Sequence, residues 1–196
     1  MRQTITFKEI LQEEEIKTYI RRADLSLERM GFTEHSFAHV MRVSKCAGDM
    51  LQQLGYDDHD VELARIAGYM HDIGNVINRV DHAQSGAVMA FRILDRLGMD
   101  PEEISTVITA IGNHDESTAF PVNPVAAALI LADKTDVRYT RVRNQDIASF
   151  DIHDRVNYAV KESKVIVEKG SHLELRLRID TQMCAVTDYF EIFLNR

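Results

Sequence analysis

At 196 residues the chain is long enough for one compact domain with a substantial core. With 45% hydrophobic and 28% charged residues it reads as a globular chain, and no stretch approaches the ~20 apolar residues of a membrane span. A net charge of −8 argues against nucleic acid as the main partner.

A first helix is predicted from about Glu13 to Met30, ended by Gly31. Thr33 reads as the next N-cap, with Phe32 and Phe37 placed as a hydrophobic staple. The helix it opens carries His39, Val43, Cys46, Ala47, Met50, Leu51 and Leu54 on one face and stops at Gly55. A third runs from near Asp58 through Val61, Ala64, Ala67, Met70 and His71 to Gly74, its small residues inviting a close neighbour. The fourth spans about Asp81 to Leu97, with His82 on its apolar side and Gly98 closing it. Asp100-Pro101-Glu102-Glu103 combines a capping Asp, Pro at the first helical position and Glu three residues on, and the helix it starts aligns Ile104, Val107, Ile108, Ile111 and His114. Asn123-Pro124 repeats that logic for a sixth helix carrying Ala126, Leu129, Ile130, Asp133 and Val137.

After about residue 150 the period falls to two. Val165 and Val167, then Leu173, Leu175, Leu177 and Ile179, flank the turn Lys169-Gly170-Ser171 as a β-hairpin, with a third strand expected near Val156–Val160. Asp180 reads as the cap of a last helix running to Arg196 without a stop signal, as in a chain that continues further. The expected organisation is a helical unit over 1–150 and a hairpin plus helix over 151–196 packed on it, with no repeat or long linker. The N-terminus lacks the apolar block of a signal peptide, and Cys46 and Cys184 form no C-x-x-C pair. Cys46 is expected as a buried core thiol and the protein as cytoplasmic.

His39, His71, His82, His114 and Asp133 thus fall on apolar stripes, and Asp72 adjoins His71. An uncompensated buried polar group costs roughly 1–3 kcal/mol, and a bare charge far more. Divalent ions compensate all six at once. Imidazole and carboxylate ligands without cysteine suit Fe or Mn foremost, with Co, Ni, Zn or Mg as further candidates. A carboxylate has two oxygens and an imidazole one free lone pair, so Asp72 is the expected bridge between two ions. His71, His39 and Asp133 would complete the first, and His82 and His114 the second. His35, His59, His153 and His172 lie in caps, turns or the hairpin and are expected at the surface.

The order His39…His71-Asp72…Asp133 resembles the H…HD…D pattern of the HD-domain superfamily of metal-dependent phosphohydrolases. The local contexts Tyr69-Met70-His71-Asp72-Ile73-Gly74 and Leu131-Ala132-Asp133-Lys134 agree with it, and His82 and His114 resemble the additional ligands of its binuclear subset. The likeness covers roughly residues 33–143 and implies a mainly α fold, an HD-domain helical bundle, here with a small C-terminal β-hairpin and a final helix. Two features depart from common patterns. Many relatives carry a basic residue where Asn75 stands, and the His-His-Glu and Gly-Tyr-Pro signatures of cyclic-dinucleotide phosphodiesterases are absent around His114-Asp115-Glu116.

What the resemblance implies is hydrolysis of a phosphomonoester or phosphodiester, with a water bridging the two ions as nucleophile. Asp72 and Lys134 are the expected catalytic residues, with Asp115 or Glu116 as proton donor or orienting group. Lys134, Arg42, Arg138, Arg141 and Arg143 are the candidate substrate-binding cations. The expected partner is a small phosphorylated substrate, a nucleotide among the candidates. A membrane is not expected, nor is nucleic acid, and a homodimer is left open. The same ligand order also resembles the diiron myo-inositol oxygenase-like branch. A nucleotide-sensing module without turnover is the third reading.

Overall fold

The computed structural model describes residues 5–115 and 118–193. A short helix α1 (Phe7–Ile10), not foreseen from the sequence, is held by a capping box in which Thr6 and Glu9 satisfy each other's backbone N–H groups. Then come α2 (Glu14–Arg29), α3 (Phe37–Leu54), α4 (Asp58–Met70), a 3₁₀ turn (Ile73–Val76), α5 (His82–Leu97), α6 (Pro101–Gly112) and α7 (Pro124–Thr135). Helix α8 (Ile152–Ala159) leads directly into β1 (Val160–Glu168), which pairs antiparallel with β2 (His172–Ile179) before α9 (Val186–Phe193). No described helix is long and apolar enough to cross a membrane.

Helix α3 packs against α4 and α7, α4 reaches α6 and α7, and α5 lies on α6. Small residues make the first contact close. A Cβ on Gly68 would lie 2.6 Å from the Ser44 backbone, so α3 and α4 touch main chain to main chain. The Ser44 hydroxyl closes the seam by donating to the Arg65 carbonyl at 2.7 Å. Residues such as Val43, Ile66, Met70, Ile111 and Leu129 are fully enclosed in the core between these helices. A second, smaller core gathers Val137, Val156, Ala159, Tyr189 and Ile192 beneath the hairpin.

Several expectations about boundaries are corrected. Ser36, not Thr33, caps α3, its hydroxyl accepting from the Ala38 N–H. The preceding residues are held outside the helix because Glu34 binds the Arg141 carbonyl through its N–H and Arg138 through its carboxylate. The Phe32–Phe37 staple is not formed as expected. Phe37 packs toward Tyr69, and Phe32 lies under the Arg79 guanidinium at 5.7 Å. Residues 156–159 are helical rather than a third strand, because Ile152, Val156 and Ala159 turn inward at helical spacing behind the Asp151 cap. Asp180 starts a turn, with α9 beginning only at Val186. Cys46 is half-buried rather than enclosed. Glu116 and residues 194–196, where the last helix was expected to end, lie outside the described residues.

Candidate metal centre

Five segments deliver the six polar residues to one point. His39 comes from the first turns of α3 and His71 and Asp72 from the break between α4 and the 3₁₀ turn. His82 opens α5, His114 follows α6, and Asp133 ends α7. The entry to α5 is sharp. Asp81 sits at φ 57°, in the left-handed region that Asp tolerates better than most residues, and this turns His82 back toward the bundle. Gly74 is required here, since a Cβ would meet the His82 carbonyl at 2.0 Å.

The histidines share one arrangement. Nδ1–H of His71, His82 and His114 donates to the carbonyls of Gly68, Arg79 and Ile111, at 2.8, 3.0 and 2.6 Å. His39 Nδ1–H donates to Asp136 Oδ2 at 2.8 Å. A carbonyl or carboxylate only accepts, so each Nδ1 is fixed as the donor and each Nε2 faces inward. There His39 and His71 Nε2 approach to 3.3 Å, and His82 and His114 Nε2 to 3.2 Å. The carboxylate of Asp72 lies between the two pairs. Its Oδ2 is 3.3 Å from His71 and 3.6 Å from His39, whereas Oδ1 is 3.5 Å from His82 and 3.9 Å from His114. Asp133 Oδ1 joins the first pair, 3.3 Å from His39 and 3.7 Å from His71.

These spacings fit metal ions. Two ligands bonded at about 2.0–2.2 Å to one ion are separated by about 2.9–3.6 Å. The buried Oδ2 of Asp72 accepts no well-aligned hydrogen bond, the mark of an oxygen meant for another partner. The groups within 4.8 Å of one another include His39–His71–Asp72 and Asp72–His82–His114, so Asp72 belongs to both. The charges are tightly coupled. Burial disfavours an imidazolium at His71, but Asp72 and Asp133 outweigh it and raise its pKa to about 10. Burial, reinforced by His71, pushes His114 down to about 3. Burial opposes charge on Asp72 and Asp133, yet neighbouring cations hold both carboxyls well below the ordinary range, His71 chiefly for Asp72 and Lys134 for Asp133.

A cavity of ≈510 Å³ opens over this cluster. Lys134 and Asp115 line it, with Lys134 Nζ 2.7 Å from Asp133 Oδ2. Of the four arginines singled out from the sequence, Arg141 alone lines it, and its guanidinium is spent on the carbonyls of Glu34 and Asp136. Arg138 is committed to Asp136 and Glu34, Arg143 pairs with Asp24 and Glu28, and the largely exposed Arg42 faces another cavity. The run of arginines therefore ties the segment after α7 to α2 and the start of α3.

Three contributors escaped the sequence reading. Asp136 orients His39, three residues past a recognised ligand but with no apolar-stripe signal of its own. Asn75 donates to Asp72 Oδ1 at 2.8 Å and to the Asp72 carbonyl, and so steadies the carboxylate. Arg79 supplies a cation one turn later, 3.2 Å from His82 Nε2 and 4.0 Å from Asp115. His35, expected at the surface, is half-buried in the cavity wall with its ring edge-on to His39. His153 is exposed as expected, but on the rim of the same cavity.

The comparisons agree with this geometry. The HD domain model matches residues 36–138, which contain all six residues and Asp136. Ribonuclease Y of Aliarcobacter butzleri is 30% identical over 125 residues, 62% of this chain and 22% of the relative. Ribonuclease Y of Bacillus thuringiensis is 25% identical over 161 residues, 78% of this chain and 29% of the relative. The chain thus spans under a third of the length of these relatives. An uncharacterized protein of Methanocaldococcus jannaschii is 23% identical over 196 residues, with 88% of this chain and 74% of the relative covered. The crystal structure of a predicted HD superfamily hydrolase from an uncultured Thermotogales bacterium superposes with a TM-score of 0.51 and 26% identity, covering 68% of this chain and 75% of that one. With the family model spanning half the chain and the histidine–aspartate cluster inside it, the protein belongs to the HD domain family.

Proposed function

We propose that the protein is a metal-dependent phosphohydrolase that cleaves a phosphomonoester or phosphodiester of a small, nucleotide-like metabolite. The observation that carries this reading is the division of the Asp72 oxygens between two histidine pairs. His39, His71, Asp72 and Asp133 would hold one divalent ion, and Asp72, His82 and His114 the other. Bound ions supply Lewis acidity, which acidifies water and neutralises charge on a phosphoryl group.

The chain's own groups do the rest. Asp136 fixes the His39 ring, and Asn75 fixes the plane of the Asp72 carboxylate. Lys134 and Arg79 stand on the cavity wall as the cations that grip phosphoryl oxygens, Lys134 as a mobile point charge and Arg79 as a planar fork. Phe32 braces that fork from one face. Asp115, close to both Arg79 and His82, is placed to relay a proton toward the leaving oxygen. The ribonuclease names of two relatives support phosphodiester chemistry in this family, and the cavity over the cluster suits a small ester.

The test is a phosphate- and nucleotide-release screen over nucleotides and sugar phosphates, run without oxygen and with added Mn, Co, Ni, Mg or Fe. The expected result is metal-dependent release by wild type and none by Asp72→Ala. Oxygen consumption on a non-phosphorylated polyol, with no release from any ester, would overturn the proposal.

A further inference from the structure

A second cavity, at ≈690 Å³ larger than the first, lies between α3, the chain after α7 and strand β1. It has the size of a small-molecule site. Its cations are Arg42 and Lys45 on α3, Arg138 after α7, and Lys161 and Lys164 on β1. It also contains three carboxylates, each already matched. Asp49 is paired with Lys45 and, at 3.9 Å, with Arg65 outside the cavity. Glu162 lies 3.5 Å from Arg178 on β2, again outside it, and Asp136 is shared with His39. Arg138 is likewise shared with Glu34 outside the cavity, and five cations against three acids leave the wall a positive excess in a chain whose net charge is −8.

Two further features shape it. The register of β1 slips between Val160 and Glu162, making Lys161 the extra residue of a bulge, and its exposed ammonium rests on Tyr158, 3.2 Å from the carbonyl and 5.0 Å from the ring centroid. The inner wall is apolar, with Met50, Val165 and Val167, and Tyr139 stands half-exposed at the margin. A polyanion with a flat, apolar body matches that combination of basic rim and apolar wall.

The two cavities meet at Asp136, which lines both. Its Oδ2 accepts from His39, while its Oδ1 takes Arg138 Nε at 2.9 Å and faces Arg42 Nε at 3.6 Å. We propose that the second cavity is a regulatory nucleotide-binding site that communicates with the metal centre through Asp136. A phosphate held by Arg42 draws it from Asp136 Oδ1, while Arg138 stays shared between Asp136 and Glu34, which leaves the carboxylate more strongly bound to His39. The effect is reciprocal, because two sites that bias one shared group must each report the other's occupancy.

The proposal is independent of the reaction catalysed and is tested by binding. The probe is β,γ-methylene ATP, titrated calorimetrically into Mg²⁺-loaded protein. Lys161→Glu/Lys164→Glu is expected to weaken binding about tenfold or more, as expected for loss of charge-assisted contacts. Lys134→Ala, which loosens the phosphate grip of the metal centre, is expected to leave in place the binding event that the double variant loses. Both lysines are exposed, and circular dichroism confirms the fold of the double variant. A double charge reversal that removes no binding event, loss of that same event in Lys134→Ala, or no binding to wild type overturns the assignment. Tripolyphosphate is expected to bind more weakly, and equal affinity removes the nucleotide from the proposal. Saturating analogue is expected to shift the His39 ring resonances in wild type but not in the double variant. Unmoved His39 signals overturn the coupling.

Discussion

Asp72 presents a single carboxylate to two histidine pairs, and its surroundings are arranged for that. One oxygen faces His39 and His71, the other faces His82 and His114, and Asn75 keeps the plane from turning. Asp72→Ala is therefore expected to lose both ions, because each loses its shared oxygen and nothing screens their mutual repulsion; metal analysis of the folded variant checks this. Asp136→Ala should act on one side only. Losing the partner of a ligating histidine typically costs about 10–100-fold in metal affinity, so competition with a chelator should show one weakened ion and one unchanged. Lys134→Ala should keep its metal content and lose about ten- to hundredfold in kcat/KM, the worth of a charge-assisted hydrogen bond of roughly 1.5–3 kcal/mol. Steady-state kinetics beside elemental analysis separates the two effects. The six inward groups were legible in the sequence because polar residues on apolar stripes need an explanation. Asp136, Asn75 and Arg79 were not, since their roles come from rings and carboxylates that only folding brings near. The partners of the arginines after α7 were hidden for the same reason: Asp24, Glu28 and Glu34, which engage Arg138 and Arg143, lie more than a hundred residues earlier.

Helices whose ends carry strong capping chemistry were legible at the level of elements. Asp100 with Glu103 and Pro101, and Asn123 with Pro124, start α6 and α7 where local hydrogen bonds alone dictate. Boundaries went astray where a distant group intervenes, as Arg138 and Arg141 do before α3, or where a short apolar run fits two periods, as at α8. The contact of α3 with α4 yields a prediction of its own. In an isolated helix Gly68→Ala would stabilise by about 1 kcal/mol. Here the new Cβ would meet Ser44 main chain, which cannot rotate away. The sign reverses, and a net loss of about 1–3 kcal/mol is expected from overpacking. Because His39 and His71 sit on these two helices, metal affinity should fall with it. Denaturant unfolding of metal-free and metal-loaded protein measures both.

Across the whole molecule, the metal centre joins α3, the end of α4, α5, α6 and α7, so binding there is also a statement about stability. An ion at 100 times its dissociation constant stabilises by about 2.7 kcal/mol. For a chain of this size each kcal/mol moves Tm by about 2–4 °C. Chelation is accordingly expected to lower Tm by about 5–11 °C per tightly bound ion, seen by calorimetry with and without chelator. The smaller core around Val156 and Tyr189 contains none of the proposed ligands and should respond less, which hydrogen exchange resolves segment by segment.

The central claim is that one carboxylate divides two ions between two histidine pairs, and metal stoichiometry tests it most directly. Protein reconstituted with Mn²⁺ or Fe²⁺, freed of excess ion and measured by elemental analysis, should contain two ions per chain. His82→Ala and His114→Ala should each contain one, with the His39–His71–Asp133 site still filled. A wild-type protein that folds normally but holds a single ion, unaltered by either substitution, would contradict the account.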